Sequence, residues 1–222
     1  MAYPLTHLFV ANGMAKSLKV IDRADFLLGS VAPDAVHYRK SFVGASMADI
    51  GSAKKTTHLC PISDEKWGSV TDNEGWERYV KIFLSRQEKT PFMLGYVTHV
   101  LTDIYNNKSL WHNFRTGYPL EAKKGYNSGY YDDLKHIDKL LMRNREVTDD
   151  ICEKLTQAKA VGLNGLVSVD EVEAIKQQLI VDYGSNSQIS NIDKFYHTKF
   201  VSYDEMLIFV KEAMHYASAI VF

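Results

Sequence analysis

Two residues one helical turn apart, His99 and Asp103, carry the strongest chemical signal in this 222-residue sequence. At a spacing of four on a helix, an imidazole and a carboxylate share one face. That arrangement suits two ligands of one divalent ion, or a carboxylate that bridges two ions. Gly95, one turn earlier on the same side, would leave room beside such a site. The competing reading is a solvated surface pair in which Asp103 merely orients His99. His7 sits on the apolar side of an N-terminal helical pattern and alone reads as a core histidine. Asp34, in Ala32-Pro33-Asp34-Ala35, reads alone as the cap of a following turn. His58, in Thr56-Thr57-His58-Leu59-Cys60, lies in loop-like sequence with no structural motive, and Cys60 is a soft ligand candidate. Taken as a set, imidazoles with a few carboxylates and open positions describe a catalytic zinc site. In it Asp34 can double as the base that takes a proton from water.

A second cluster lies further along. Asp132 and His136 are one turn apart with Asp133 beside Asp132, which reads either as a second metal's ligands or as a wet helix face. His112, after Trp111, is a ligand candidate or a plain surface residue. His37 suits an outer position that supports Asp34.

The elements that must position these residues are helical. Apolar residues Leu8, Ala11, Ala15 and Leu18 fall at three-and-four spacing over residues 5–18, and a short segment over 22–28 stops at Gly29. Trp76, Tyr79, Val80 and Phe83 mark a helix over 76–84. Thr90-Pro91 opens a long one, with Thr90 as cap, Pro91 in the first turn, and Leu94, Val97, Leu101 and Ile104 as its apolar stripe. Further helices are expected over 130–142, 149–158, 170–181 and 203–221. With no alternating strands and no repeat, the fold class is all-α: a single-domain helical bundle spanning 1–222. Two stretches, 33–74 and 184–200, do not read as helical throughout and are expected to wall a pocket. Tyr130, Tyr131 and Phe195 are expected at an apolar cleft mouth.

Composition narrows the function. Hydrophobic residues make up 45% and charged residues 24%, the balance of a globular protein. A net charge of -1 argues against a dedicated nucleic-acid surface, though a metal can still supply positive charge for a phosphate-bearing substrate. Two cysteines far apart fit a reducing compartment better than a disulfide framework. No secretory signal and no membrane-length apolar run is visible, so the expectation is a cytoplasmic, soluble protein.

Four stretches, in order, resemble the bacterial zinc-dependent phospholipase C family, whose fold is shared with the zinc-dependent single-strand nucleases. They are Pro4-Leu5-Thr6-His7, Gly29-Ser30-Val31-Ala32-Pro33-Asp34, Thr57-His58, and Gly95-Tyr96-Val97-Thr98-His99-Val100-Leu101-Thr102-Asp103. The resemblance implies an all-helical fold with one to three zinc ions in a cleft. It implies that Asp34, His58 and His99 hold one zinc, while Asp103 binds another ion that His7 also ligates. For the remaining ligands His112, His136 and Asp132 or Asp133 are the nearest residues, at spacings that depart from the family's. The function expected is metal-dependent hydrolysis of a small-molecule or lipid phosphoester, a phospholipid or other phosphodiester. The alternatives are a nuclease and a non-catalytic metal-stabilised ligand-binding module. Neither the adjacent His-Asp pair of another phosphohydrolase class nor a His-Glu-x-x-His protease motif is present.

Overall fold

The computed structural model describes residues 3–42, 46–61, 70–184 and 196–222. Phe195 lies outside them. Among the described residues there are eleven α-helices, three short 3-10 helices and no strand beyond one isolated bridge between Leu163 and Val167. The all-α reading holds. In chain order the helices are α1 (Pro4–Ser17), α2 (Arg23–Gly29), α3 (Met47–Thr57), α4 (Asn73–Ser85), α5 (Pro91–Lys108) and α6 (Leu110–Gly117). They continue with α7 (Pro119–Ala122), α8 (Gly129–Leu141), α9 (Arg145–Gln157), α10 (Val169–Tyr183) and α11 (Tyr203–Val221).

Helix α5 is the axle of the fold. Thr90 caps it by accepting the Met93 N–H, and Pro91 opens its first turn. It packs against α1, α2, α4, α6 and α11, so nearly every residue from Phe92 to Asn107 is buried. The stripe Leu94–Val97–Leu101–Ile104 faces the apolar core, while His99, Thr102, Asp103 and Asn106 are buried on other sides. A helix enclosed on all sides needs partners for its polar face as well as its apolar one.

The closest approach is between α2 and α5, and two glycines permit it. A Cβ on Gly95 would lie 2.0 Å from the Phe26 carbonyl oxygen, and one on Gly29 would lie 2.1 Å from that of Phe92. Both positions therefore exclude any side chain. Gly95 makes room for the backbone of α2, not for the site itself as its position on the helix suggests.

Residues 33–74 contain more helix than their composition predicts. Ala32–Tyr38 and Lys40–Phe42 form 3-10 helices, and α3 follows, begun by a reciprocal capping box between Ser46 and Asp49. The periodic signal of α3 is weak because its inward face buries Lys54 and Thr57 beside polar groups. A Schellman-type turn ends α3. The Leu59 and Cys60 N–H groups reach back to the Thr56 and Lys55 carbonyls, and Leu59 takes φ +53°. Tyr130 is a core residue whose hydroxyl donates to Asn106 Oδ1, while Tyr131 does line a cleft.

Candidate metal centre

Five residues from four elements meet inside the fold. His7 comes from α1, Asp34 from the 3-10 helix after α2, His58 from the C-terminal cap of α3, and His99 and Asp103 from α5. Each is set by its own local structure. Helix α1 begins at Pro4 with no side-chain cap of its own, and Asp138 of α8 supplies one by accepting the Thr6 N–H at 3.3 Å. The end of α3 is pinned from two sides. Tyr96 Oη donates to the Thr57 carbonyl, and Trp76 Nε1 donates to the His58 carbonyl at 2.9 Å.

Two imidazoles are oriented by backbone carbonyls. His99 Nδ1 lies 2.8 Å from the Ser30 carbonyl, and His58 Nδ1 lies 2.9 Å from the Lys54 carbonyl. A carbonyl only accepts, so both Nδ1 atoms carry the proton and both Nε2 atoms present lone pairs. Those two Nε2 atoms stand 3.2 Å apart. Asp34 Oδ1 is 3.5 Å from His58 Nε2, and Asp34 Oδ2 is 3.9 Å from His99 Nε2. Asp103 turns Oδ2 toward His58 at 3.5 Å and His99 at 3.7 Å, and Oδ1 toward His7 Nε2 at 3.5 Å. The His7 ring stacks on His99 with centroids 3.7 Å apart, and among the described residues neither of its nitrogens has a hydrogen-bond partner.

A tetrahedral zinc ion with bonds of about 2.0–2.1 Å holds its donor atoms about 3.3 Å apart. The spacings just described fit that requirement. Opposed lone pairs beside a buried imidazole with unsatisfied nitrogens form a donor set that a bound divalent cation would satisfy. Two groups, His7–His99–Asp103 and Asp34–His58–His99, have ligand atoms all within 4.8 Å of one another.

The electrostatics prepare these groups as ligands. Burial, reinforced by the His99 ring, pushes His7 down to about 3. Burial likewise lowers His58 to about 4, with Lys54 adding to the effect and Asp34 opposing it. Both rings are therefore neutral at pH 7, as a ligand must be. Burial alone would raise Asp34, but the Lys54 ammonium beside it outweighs that and holds the carboxyl well below its usual range. Asp103 is also lowered, since His7 and His99 outweigh its burial.

A cleft of about 380 Å³ borders this cluster at Asp34. Asp34 and Lys54 lie in its wall with Tyr38, Tyr126, Tyr131 and Leu179. Lys54 had no signal in the sequence. It is 5% exposed, with Nζ 3.0 Å from Asp34 Oδ1. Its place one turn before His58 on α3 is the clue that helical periodicity could have supplied.

The other predicted ligands lie apart from the two groups. Asp133 is fully buried, but its Oδ2 accepts the N–H groups of Lys199, Phe200 and Val201, and its Oδ1 accepts from Tyr196 Oη. It anchors the approach to α11. His136 stacks on the Tyr196 ring at 4.5 Å, and Asp132 and His112 are exposed. His37 lies at the cleft edge, 3.8 Å from Asp34 Oδ1.

An all-helical frame holding a buried His/Asp cluster, with Asp34 in the wall of a cleft, defines a helical protein with a candidate divalent-metal centre. The family model described as zinc dependent phospholipase C matches residues 6–203, and the chain belongs to that family. No curated protein and no solved structure matches the chain significantly.

Proposed function

We propose that the protein is a zinc-dependent hydrolase of phosphodiesters, with phospholipid as its substrate class. The observation that carries this reading is that Asp34, one wall of the ligand cluster, also faces the cleft. Structural zinc sites close their coordination with four protein side chains and do not open onto a substrate-sized space. The family supports a lipid phosphoester over other substrates, and the tyrosine-lined walls with Leu179 suit an amphipathic molecule.

In this reading Asp34, His58 and His99 would hold one ion, with a coordination position left open toward the cleft. His7 with Asp103 Oδ1 holds part of a second, because His99 has committed its Nδ1 to Ser30 and has one nitrogen left. Bound zinc supplies Lewis-acid polarisation of a phosphoryl oxygen and makes water more acidic. Asp34, ionised and facing the cleft, would accept a hydrogen bond from the attacking water and take its proton as the new P–O bond forms and the P–O bond to the leaving alcohol breaks, and would then pass that proton to the leaving alkoxide. The tyrosines and Leu179 exclude bulk water and hold the leaving alcohol's side of the substrate. His112, Asp133 and His136 lie outside this ligand set.

We take residues 1–222 as one metal-binding domain. Among the described residues no helix is long and apolar enough to cross a membrane. The two cysteines, Cys60 and Cys152, are buried and not joined to each other, which favours a cytoplasmic setting.

The test is metal analysis of protein purified without chelator, paired with a screen of phosphatidylcholine vesicles, a chromogenic phosphodiester, a phosphomonoester and single-stranded DNA. Zinc bound with phospholipid cleavage supports the reading. Zinc bound with no turnover of any substrate would favour a non-catalytic module, and cleavage of DNA alone a nuclease.

A further inference from the structure

We propose that the segment from Tyr118 to Tyr126 is a docking surface that seats the protein on a phospholipid bilayer containing anionic lipid. The choice of a lipid partner rests on the phosphodiesterase reading above, while the surface itself is read from the segment.

The apolar residues come first. Tyr118, Leu120 and Tyr126 are large side chains left in solvent, Leu120 at 78% exposure and each tyrosine at 50%. Single apolar residues are ordinary on a surface, but three on one short segment form a patch of the kind that marks an interaction site. The segment is folded back on itself through α7 and the 3-10 turn Gly125–Asn127, with the Ala122 N–H on the Tyr118 carbonyl and the Asn127 N–H on the Lys124 carbonyl. Both of its ends are anchored at the first turn of α8. Tyr118 meets the Phe200 ring edge-on, and that ring fills the space a side chain on Gly129 would take. Tyr126 packs on Tyr131, with ring centroids 4.8 Å apart. Glu121 ties the middle to the same turn by accepting the Gly129 N–H at 3.0 Å. A patch held this way is preorganised, so docking orders little further chain.

Two observations select a bilayer over another protein. One is continuity with the cleft: Tyr126 and Tyr131 line it together with Asp34. A phosphoester drawn from a bilayer enters at a rim that touches the bilayer, and the segment ends at that rim. The other is chemistry. Tyrosine has an apolar ring and a polar tip suited to the headgroup level, and leucine suits the acyl boundary beneath it. Lys123 and Lys124 are exposed beside them. Glu121, the acid of the segment, is paired with Lys124 at 2.6 Å, so the segment is net basic on a chain whose net charge is -1. Basic residues around an apolar tip add attraction to anionic lipid. A second copy docked through the same patch would instead set like charges against each other.

The experiment sediments zinc-loaded protein with vesicles of phosphatidylcholine alone and of phosphatidylcholine mixed with phosphatidylserine, for wild type, Leu120→Ser and Lys123→Gln. Turnover of a water-soluble chromogenic phosphodiester and the oligomeric state are measured on each. Wild type is expected to bind the mixed vesicles more tightly than the neutral ones. Leu120→Ser is expected to bind both roughly tenfold or more weakly, the loss of one buried leucine. Lys123→Gln is expected to bind the mixed vesicles roughly fivefold more weakly and the neutral ones as wild type does. Both substitutions are at exposed positions, so melting temperature and turnover of the soluble phosphodiester should match wild type. Wild type that binds neither vesicle, or Leu120→Ser that binds as wild type does, overturns the docking surface; cleavage of the soluble phosphodiester then leaves the functional reading standing. Vesicle binding that Leu120→Ser loses, with no cleavage of any phosphodiester, keeps the surface and overturns the functional reading. A wild-type dimer that Leu120→Ser dissociates assigns the segment to a second copy and overturns the bilayer as its partner.

Discussion

His58 and His99 point their Nε2 lone pairs at each other across 3.2 Å, each ring having given its Nδ1 proton to a backbone carbonyl. Two acceptors at that distance repel unless a cation lies between them, so the metal-free fold carries a strain that binding removes. Chelation should therefore lower the melting temperature and added zinc restore it. With free zinc at 100 times its Kd, mass action predicts about 2.7 kcal/mol of stabilisation. Because His58 and His99 would hold the same ion and His7 a different one, His58→Ala and His99→Ala should each lose one equivalent of zinc that His7→Ala keeps. Thermal melts with elemental analysis check both, and loss of that same equivalent in His7→Ala would count against two separate ions.

The Ser30 carbonyl reaches His99 only because α2 and α5 touch through glycine. Gly95→Ala would put a methyl 2.0 Å from the Phe26 carbonyl oxygen and drive α2, with Ser30 at its end, away from α5. Overpacking of this kind should cost about 3 kcal/mol. Displacing the carbonyl that orients His99 should also weaken zinc by roughly tenfold or more. Denaturant unfolding and a zinc titration test the two effects separately, and wild-type values in both would show that this contact does not orient His99.

Asp133 provides a contrast to the cluster. Three backbone N–H groups and a tyrosine hydroxyl converge on its carboxylate, so Asp133→Ala strands several buried donors and should destabilise the fold by roughly 3 kcal/mol or more. Zinc stoichiometry should stay at the wild-type value, and likewise in His136→Ala and His112→Ala. A variant of this set that folds normally but loses an equivalent of zinc would restore that residue to the ligand set.

Asp138 gives the fold a pH dependence of its own. Burial pushes its carboxyl up to about 7 from the ordinary 3.8, with the Tyr183 hydroxyl and the Thr6 N–H of α1 opposing. Tyr3 is the other titratable group coupled to it. Between about pH 4 and pH 7 the folded protein keeps a proton that the unfolded chain has released. Asp138 therefore contributes its stability fully below about pH 4 and loses it as pH rises to about 7, by at most about 1.4 kcal/mol per pH unit. Asp138→Asn removes this slope. Stability curves of the metal-free wild type and variant from pH 4 to pH 8, subtracted, should show it, and parallel curves would contradict it.

The sequence by itself determined most of the helices and the order of the candidate ligands along the chain. Thr90-Pro91 and three-and-four apolar spacing are local signals, because a helix is built from contacts within four residues. His99 and Asp103 share one helix, so their relation was legible too. Helix α3 was not, since its inward face is polar and its burial exists only once Asp34 and Tyr96 are in place. Only the tertiary structure decided which of the remaining acids and histidines meet. Asp133, Asp138 and Lys54 look alike in sequence, each a charged residue on a helix. The first two are claimed by backbone N–H groups from distant segments, whereas the third pairs directly with the Asp34 carboxylate in the wall of a cleft. The role of a buried charge is set by the partner that folding brings to it, and those partners lie 66, 132 and 20 positions away along the chain.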